Sequence, residues 1–361
     1  MVAAGGAGSA HRNIMRVSFT LPAFHVVGGD GAPAVALRPV ISGSAFAGFV
    51  PNSAQGCDTV LMSFGVVVIG SANLDLVLQV NRHPDAGETI LATGSQRHAG
   101  GKGLNQAVAA ARGGAHTAFV GAVGRDEAGQ ALLETMRDAG IDTSAVRLVD
   151  RPTGMAMVLV QPSGENAIIV EPGANALAEL TPAGEALIRE SAVLVAQLEV
   201  PLTVIERAVR LARTSSTTVV LNAAPVVPVD DALLSEVDIL VVNEHEAVTF
   251  GGAPDAVDAA TALSNRVGET IVTLGASGAA HVTRKGEVRL VPGIPVTAVD
   301  TTGAGDTFVG VLAASISLGM SMTEALNRAV VAGAVAVEGH GAVPSIPTRQ
   351  VVDERLRAAQ R

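Results

Sequence analysis

The chain has 361 residues, of which 48% are hydrophobic and 2% aromatic, with a formal net charge of −10 and one cysteine, Cys57. A chain of this length can bury a substantial core in one large domain or two moderate ones. The chain has no basic run, which argues against a nucleic-acid-binding surface. Its single cysteine excludes an internal disulfide and favours a location in the reducing cytoplasm.

Residues 1–61 differ in composition from the rest of the chain. They are rich in Gly, Ala, Ser and Pro and show no sustained helical or strand period. The segment 32–50 is apolar, but prolines and Arg38 interrupt it, so it lacks the basic start and continuous apolar core of a signal peptide. We therefore expect a poorly ordered or non-native extension, with Met62 as a candidate natural start. No apolar run approaches the roughly 18 residues that a membrane-spanning helix needs.

From residue 62 onward, short β-branched runs alternate with segments that have the apolar spacing of helices. Strands are predicted at 66–69, 117–120, 193–198, 218–221, 238–242 and 270–274. Helices are predicted at 105–112, 127–139, 201–213 and 255–267, and near the end of the chain at 306–318, 322–338 and 348–360. Strands that alternate with helices pair in parallel through right-handed crossovers. Residues 62–361 are therefore expected to form a three-layer α/β/α domain with a mainly parallel central sheet.

Two regions, 77–99 and 153–171, break this alternation. Each has the pattern of short alternating strands joined by turns, with no helix between them. We expect the two regions to form a small β-sheet that projects as a lid over the edge of the main domain.

The segment 300–308, Asp-Thr-Thr-Gly-Ala-Gly-Asp-Thr-Phe, stands between an extended stretch and a long apolar helix. Small residues at such a junction let backbone amides converge at a helix N-terminus, where an anion is stabilised. Asp306 would lie in the first helical turn, beside that anion, where a carboxylate can take the proton of an attacking hydroxyl. Alone, Gly-Ala-Gly-Asp could equally be an ordinary turn with a favourable charge at a helix start. The complete nonapeptide favours a phosphoryl-transfer site. It is not a Walker A loop, because it lacks the Gly-Lys-Ser/Thr of that motif.

A second glycine-rich segment, 100–106, also leads into a helix. Its glycines permit a ligand to approach the backbone closely, and Asn105 offers both a donor and an acceptor to sugar hydroxyls. Lys102 could be a surface charge, but its position between glycines, three residues before Asn105, favours a place in the site.

These two motifs, in this order, resemble the signatures of the ribokinase family, the PfkB-type carbohydrate kinases. The resemblance extends from about residue 66 to the C-terminus and leaves residues 1–61 outside. It implies an α/β domain with a β-sheet lid, ATP and Mg²⁺ at the site, K⁺ as an activating cation, and a homodimer in which the lids meet.

The resemblance also implies roles for individual residues. Asp306 would be the base, and the amides of Gly303, Ala304 and Gly305 would form the anion hole. Residues that match sugar contacts are Asn73, Asp75, Gly101, Lys102, Asn105 and Glu165. Residues that match nucleotide contacts are Asn222, Asn243, Thr273, Gly275 and Gly278, with Glu246 tied to magnesium and phosphate. Residues that match the monovalent-cation site are Asp300, Thr302, Ala336, Gly339, Gly341 and Ser345.

The resemblance implies an enzyme that transfers the γ-phosphoryl group of ATP to the 5-hydroxyl of D-ribose. Deoxyribose and fructose remain alternative acceptors. No extra cation is evident for a sugar that already carries a phosphate, and a chain without Trp or Tyr is poorly equipped to stack a nucleobase. A non-catalytic sugar-binding protein on the same fold would be expected to lack Asp306 or the glycines before it. No strand is followed by G-x-G-x-x-G, which argues against a dinucleotide-dependent oxidoreductase.

Overall fold

A computed structural model describes residues 64–162 and 165–359. The extension predicted at 1–61 and the candidate start at Met62 lie outside the described residues. The described residues have an α/β architecture in which one large sheet carries helices on both faces, and a second, smaller sheet lies beside it.

Within the described residues, the strands follow one another as β1 (Phe64–Ile69), β2 (Asn73–Gln79), β3 (Gly94–Gly100), β4 (Thr117–Gly124), β5 (Asp142–Val149), β6 (Gly154–Val160), β7 (Asn166–Glu171), β8 (Ser191–Gln197), β9 (Thr218–Asn222), β10 (Ile239–Asn243), β11 (Glu269–Thr273), β12 (Gly278–Thr283) and β13 (Val288–Pro292). The helices are α1 (Lys102–Arg112), α2 (Glu127–Asp138), α3 (Pro182–Arg189), α4 (Leu202–Thr214), α5 (Asp231–Leu234), α6 (Glu244–Gly251), α7 (Ala256–Ser264), α8 (Ala304–Ser317), α9 (Met322–Ala336), α10 (Ala342–Ser345) and α11 (Arg349–Ala359).

The large sheet has the strand order β13-β12-β11-β10-β9-β8-β1-β4-β5. All neighbouring strands from β11 to β5 pair in parallel, and β12 and β13 add an antiparallel edge. The chain builds outward from β1 through β4 to β5, and later adds β8 on the other side of β1. This reversal creates a crevice at the carboxyl ends of β1 and β8, where open α/β sheets bind their ligands.

The two faces of the sheet are covered by separate apolar layers, as β1 shows. Val67 and Ile69 pack into a core that also contains Ile205 of α4, whereas Val66 and Val68 pack into a second core that contains Leu312 of α8. Alternate residues of a strand point to opposite faces, so a strand buried on both faces reads as a continuous apolar run. The predicted three-layer α/β/α class with a mainly parallel sheet is confirmed.

The smaller sheet has the order β3-β2-β6-β7, with β2 and β6 parallel and both outer pairs antiparallel. The predicted second sheet is therefore present, but its bounds differ from those predicted for 77–99. β2 begins at Asn73, and residues 80–93 contain no strand. The alternation Leu74, Leu76, Leu78 marks β2 in the sequence, and it starts immediately after the turn that follows β1.

Several other elements were not predicted, among them the helices α3, α5, α6 and α10. β5 was not predicted because it lies at the sheet edge and is only partly buried, so it lacks a β-branched run. The edge strand β13 was missed for the same reason, since most of it is exposed. Its partner β12 is buried, but it begins with the small residues Gly278, Ala279 and Ala280 and so lacks a β-branched run. The extended stretch before the 300–308 motif, residues 294–299, pairs with no strand, and most of it lines a cavity.

Candidate active site

The candidate site lies at the carboxyl ends of five neighbouring strands. Ser71 follows β1, Glu199 follows β8, Asn222 ends β9, Asn243 ends β10 and Thr273 ends β11. Side chains at the ends of parallel strands share one edge of the sheet, so polar groups far apart in the chain meet there. The N-termini of α1 and α8 complete this edge from one face.

Asp306 lies in the first turn of α8 and is only 9% exposed. Its carboxylate accepts hydrogen bonds from Nδ2 of Asn105, at 3.0 Å, and from Nε2 of Gln106, at 2.9 Å. Both donors belong to α1, and the two helices can approach closely because Gly310 of α8 has no side chain. A Cβ at Gly310 would lie 2.4 Å from the Gln106 carbonyl oxygen. The glycine-rich segment and the Asp306 motif therefore form one site.

Lys102 places a positive charge among several carboxylates. The Asp306 carboxylate raises the pKa of Lys102 above its usual value, and Glu199 and Glu246 act in the same direction against the opposing effect of burial. The backbone amide of Lys102 also donates to Glu199 Oε2 at 3.3 Å, and the same oxygen accepts from the Ser71 hydroxyl at 2.5 Å. Lys102 is thus a charged group of the site, in a position to meet an anion.

Two residues predicted to contact a sugar, Asn73 and Asp75, lie on β2 of the small sheet. The Oδ1 atom of Asn73 accepts from Nδ2 of Asn175 at 2.7 Å, while Asn175 Oδ1 accepts from the Ala72 amide. Asp75 packs so closely against Gly100 that a Cβ there would lie 2.0 Å from its Oδ2. The Oδ1 atom of Asp75 is buried and has no hydrogen-bond partner in the structure. This oxygen is available to accept a hydroxyl from a ligand.

Burial, together with the nearby negative charges of Glu199 and Asp306, raises the pKa of Asp75 to about 7. Asp75 is therefore largely protonated at pH 6 and largely ionised at pH 8. A sugar hydroxyl that donates to Asp75 binds the ionised form, so the sugar dissociation constant should rise about tenfold between pH 8 and pH 6. Calorimetric titration of the protein with sugar, in the absence of nucleotide, measures this dissociation constant at each pH. Asp75→Asn should abolish the pH dependence, and a flat profile in the parent protein would contradict this role.

A cavity of about 450 Å³ lies on the other side of Asp306. Its walls are mainly apolar and come from 273–278, 293–298, the start of α8 and one face of α9. A smaller cavity of about 130 Å³ leads from there toward Lys102 and Asp306. A large apolar cavity suits a flat heterocycle, and the smaller polar cavity suits the phosphates attached to it.

Asn243 and Glu246 both line the smaller cavity, and they also begin α6 with a capping box. Asn243 Oδ1 accepts from the Glu246 amide at 2.8 Å, and Glu246 Oε2 accepts from the Asn243 amide at the same distance. Burial raises the pKa of Glu246 above its usual value, although the Asn243 hydrogen bond and Lys102 act to lower it. The Asn-x-x-Glu motif therefore has a structural role as well as a place in the cavity wall.

The predicted anion hole lies at the N-terminus of α8. Gly303 caps the helix with φ 76°, a left-handed conformation that glycine adopts without strain. The Ala304 amide donates to the Thr301 carbonyl at 3.3 Å, so it is not wholly free for a ligand. The amides of Gly305 and Asp306 have no partner within the helix because they belong to its first turn. Gly305 lines both cavities, and Asp306 lines the smaller one.

Asp300 joins the loop before α8 to the turn after α9. Its carboxylate accepts from the amides of Thr302, at 2.9 Å, and Gly341, at 2.8 Å. Burial acts to raise the pKa of Asp300, but these hydrogen bonds outweigh it and hold the pKa below its usual value. Ser345 Oγ donates to the carbonyl of Gly341 at 2.6 Å. Ionised carboxylates and backbone carbonyls are the oxygen ligands that hard cations prefer.

The structure thus brings most of the predicted site residues to one edge of the sheet. Glu165 is an exception: it lies exposed at the turn between β6 and β7, where its carbonyl accepts from the Gln161 amide. Sequence reasoning did not select Gln106, Gln197 or Glu199. Gln197 is the last residue of β8, and Glu199 follows it. Polar residues directly after a buried apolar run could have indicated a site at the end of that strand.

Among residues 64–162 and 165–359, no group of three or more His, Cys, Asp or Glu side chains is arranged to hold a metal ion. None of the helices in the described part of the chain is both long and apolar enough to cross a membrane.

The chain is similar to known proteins over most of its length. A family model described as pfkB family carbohydrate kinase matches residues 64–349. The ribokinase of Haemophilus influenzae is 41% identical over 303 residues, which is 81% of this chain and 99% of that protein. The deoxyribokinase of Salmonella typhi is 34% identical, over 81% of this chain and 98% of that protein. The structure of Arabidopsis thaliana ribokinase complexed with ribose and ATP is 33% identical, with a TM-score of 0.76, and covers 81% of this chain and 98% of that one.

Proposed function

The chain belongs to the pfkB family of carbohydrate kinases, and from that membership we propose that it transfers the γ-phosphoryl group of ATP to the 5-hydroxyl of D-ribose. It is a phosphotransferase with an alcohol group as acceptor, related over four fifths of its length to proteins named ribokinase. One observation carries the proposal: the buried Asp306 carboxylate lies between the sugar-side Asn105 and a cavity lined by Lys102 and Glu246.

The proposed mechanism is a direct in-line transfer. The sugar hydroxyl donates its hydrogen bond to Asp306, which takes the proton as the hydroxyl oxygen forms its bond to the γ-phosphorus. The bond from that phosphorus to the bridging oxygen breaks, and ADP leaves with the electron pair. Lys102 and the free amides at the start of α8 stabilise the negative charge of the phosphoryl group during transfer.

The sugar specificity rests on paired donors and acceptors. Asn73, Asp75, Asn105 and Glu199 offer carboxylate and amide groups to the hydroxyls of a small sugar. A site that pairs buried polar groups with hydroxyls discriminates against analogues that lack one of them. Deoxyribose is the second candidate acceptor, because a relative that is 34% identical is named deoxyribokinase. We propose ribose because the more similar relatives carry the name ribokinase.

Members of this family use ATP with a divalent metal, and we propose that the metal is Mg²⁺. Mg²⁺ is usually held by nucleotide phosphates and one or two carboxylates, which is compatible with the absence of a three-ligand cluster in the described residues. Glu246 and Asp306 are the carboxylates that line the smaller cavity. Bound there, the ion would neutralise charge on the phosphates.

We further propose K⁺ as an activating cation near Asp300. The low pKa of Asp300 keeps its carboxylate ionised, and the Gly341 amide joins it to the turn that contains Ala336 and Gly339, whose backbone carbonyls are candidate ligands. Because Asp300 also holds the loop that leads into α8, a cation here would order the anion hole.

We also propose that the enzyme is a cytoplasmic homodimer. The outer strand of the small sheet, β7, exposes Ile168, Ile169 and Val170, which are 57%, 65% and 45% exposed. An exposed apolar edge strand needs a partner, and a second copy of the same small sheet would supply one.

ADP release from Mg·ATP across a panel of sugars tests the proposed function. Ribose, deoxyribose, fructose, fructose 6-phosphate and adenosine should be compared, each with K⁺ and with Na⁺. We expect the highest kcat/KM with ribose and a higher rate in K⁺. Preference for deoxyribose would change the substrate and keep the mechanism, whereas no turnover with any acceptor would refute the proposed activity.

A further inference from the structure

Gln106 is fully buried, and its amide group is completely hydrogen-bonded. The two protons of Nε2 are directed to two different acceptors, Asp306 Oδ1 at 2.9 Å and Asn222 Oδ1 at 3.0 Å. Its Oε1 atom accepts from Nε2 of Gln197 at 2.6 Å. One amide group therefore connects the carboxylate of α8 with a side chain at the end of β9 and another at the end of β8.

The orientation of this network is determined by the charge at one end. Asp306 is an acceptor, so the amide nitrogen of Gln106 must face it, and the oxygen of Gln106 must then face Gln197. Rotation of the Gln106 amide by 180° would place its oxygen against the carboxylate and its nitrogen against the Gln197 nitrogen. Asn222 is oriented as well, because its Nδ2 donates to the Val241 carbonyl at 3.1 Å.

Two glycines next to the network, Gly70 and Gly310, let neighbouring backbone approach the two glutamines closely. A Cβ at Gly70 would lie 2.0 Å from Gln197 Oε1, and a Cβ at Gly310 would lie 2.4 Å from the carbonyl oxygen of Gln106. Two glycines on different elements thus give space to the two glutamines. Gln106 and Gln197 are each fully buried, so neither is held in place for contact with solvent.

We propose that Gln106 is a positioning residue, which fixes the Asp306 carboxylate toward the sugar hydroxyl and fixes Asn222 on the nucleotide side through the same amide group. The inference rests on the proposed function, because it assigns Asp306 as the base and Asn222 as a nucleotide contact. Gln197 supports Gln106 from the sheet. Correct placement of the base affects the chemical step more than the affinity for the sugar, so a loss of Gln106 should appear mainly in kcat.

The test replaces the amide and keeps its volume. Gln106→Met should lower kcat about 10- to 100-fold, with a change in sugar KM of less than about threefold. Gln106→Glu removes both donors and adds a negative charge next to Asp306, so it should lower kcat further. Gln197→Met should lower kcat less than Gln106→Met. Thr117→Val is the matched control, because Thr117 is equally buried and donates only to the Ala115 carbonyl, away from the site; its kcat should be unchanged.

A kcat for Gln106→Met within twofold of the parent value would overturn the inference, and so would an equal loss in Thr117→Val. If the parent protein phosphorylates no sugar, the proposed function fails, and thermal unfolding then decides the inference. The change in unfolding midpoint of the double variant should differ by about 2 °C or more from the sum of the changes in Gln106→Met and Asp306→Asn, each measured against the parent. Additive midpoints would show that Gln106 does not hold Asp306.

Discussion

Asp306→Asn is expected to lower kcat by about 10³- to 10⁴-fold, while sugar affinity changes much less. An amide cannot take the proton of the sugar hydroxyl, but it occupies the same volume as the carboxylate. Its new NH₂ group would face one of the donors on α1. Asn105 can accommodate it, because rotation of its amide presents Oδ1, which is buried and has no partner in the parent structure. The fold should therefore be retained.

Steady-state kinetics and calorimetric titration with ribose measure the two effects separately. Asp138→Asn is a suitable control, because Asp138 is an exposed residue at the end of α2, remote from the site; its kinetics should match those of the parent. A turnover for Asp306→Asn within tenfold of the parent would show that Asp306 is not the base.

Gly303→Ala should reduce both stability and turnover. Gly303 has φ 76°, and a left-handed conformation costs an alanine about 1–2 kcal/mol. The new methyl group would also lie 2.8 Å from Cβ of Ala342, so the turn or α10 must move. We expect the unfolding midpoint to fall by about 3 °C or more, and kcat to fall about 100-fold because the start of α8 carries Asp306.

Gly305→Ala, two residues further on, separates these effects. A Cβ at Gly305 meets nothing within 4 Å, and it would project into the space shared by the two cavities. The midpoint should stay the same or rise slightly, since alanine favours a helix more than glycine does. The KM for ATP should rise about tenfold because the methyl group occupies space proposed for the nucleotide. Equal unfolding midpoints for Gly303→Ala and Gly305→Ala would contradict the proposed strain at Gly303.

The α/β class could be predicted because the central strands are buried on both faces. Val66 to Ile69 form an uninterrupted apolar run, which local pattern reasoning recognises directly. β5 and β13 lie at the two edges of the sheet, where one side of the strand faces solvent or a loop, and their patterns are correspondingly weak. Their existence depends on the neighbouring strand rather than on their own residues.

The site could be predicted where function is concentrated in a short segment. The motif at 300–308 contains Asp306 and its glycines together, so it was visible without a structure. Gln197 and Glu199 occur in a segment with no glycine-rich signature, and only the position of β8 next to β1 brings them to Asp306. Glu165 was selected by resemblance alone, and it is exposed at the turn between β6 and β7.

The order of strands also affects how the chain reaches its native state. Val66 in β1 pairs with Thr117 of β4 on one side and with Val193 of β8 on the other. The first half of the chain can pair only one edge of its most apolar strand, and the other edge remains open until β8 has been synthesised. Folding that depends on such distant contacts is slow, and an open apolar edge associates with other chains. We expect refolding yield to fall steeply as protein concentration rises, even though the finished sheet covers both sides of β1.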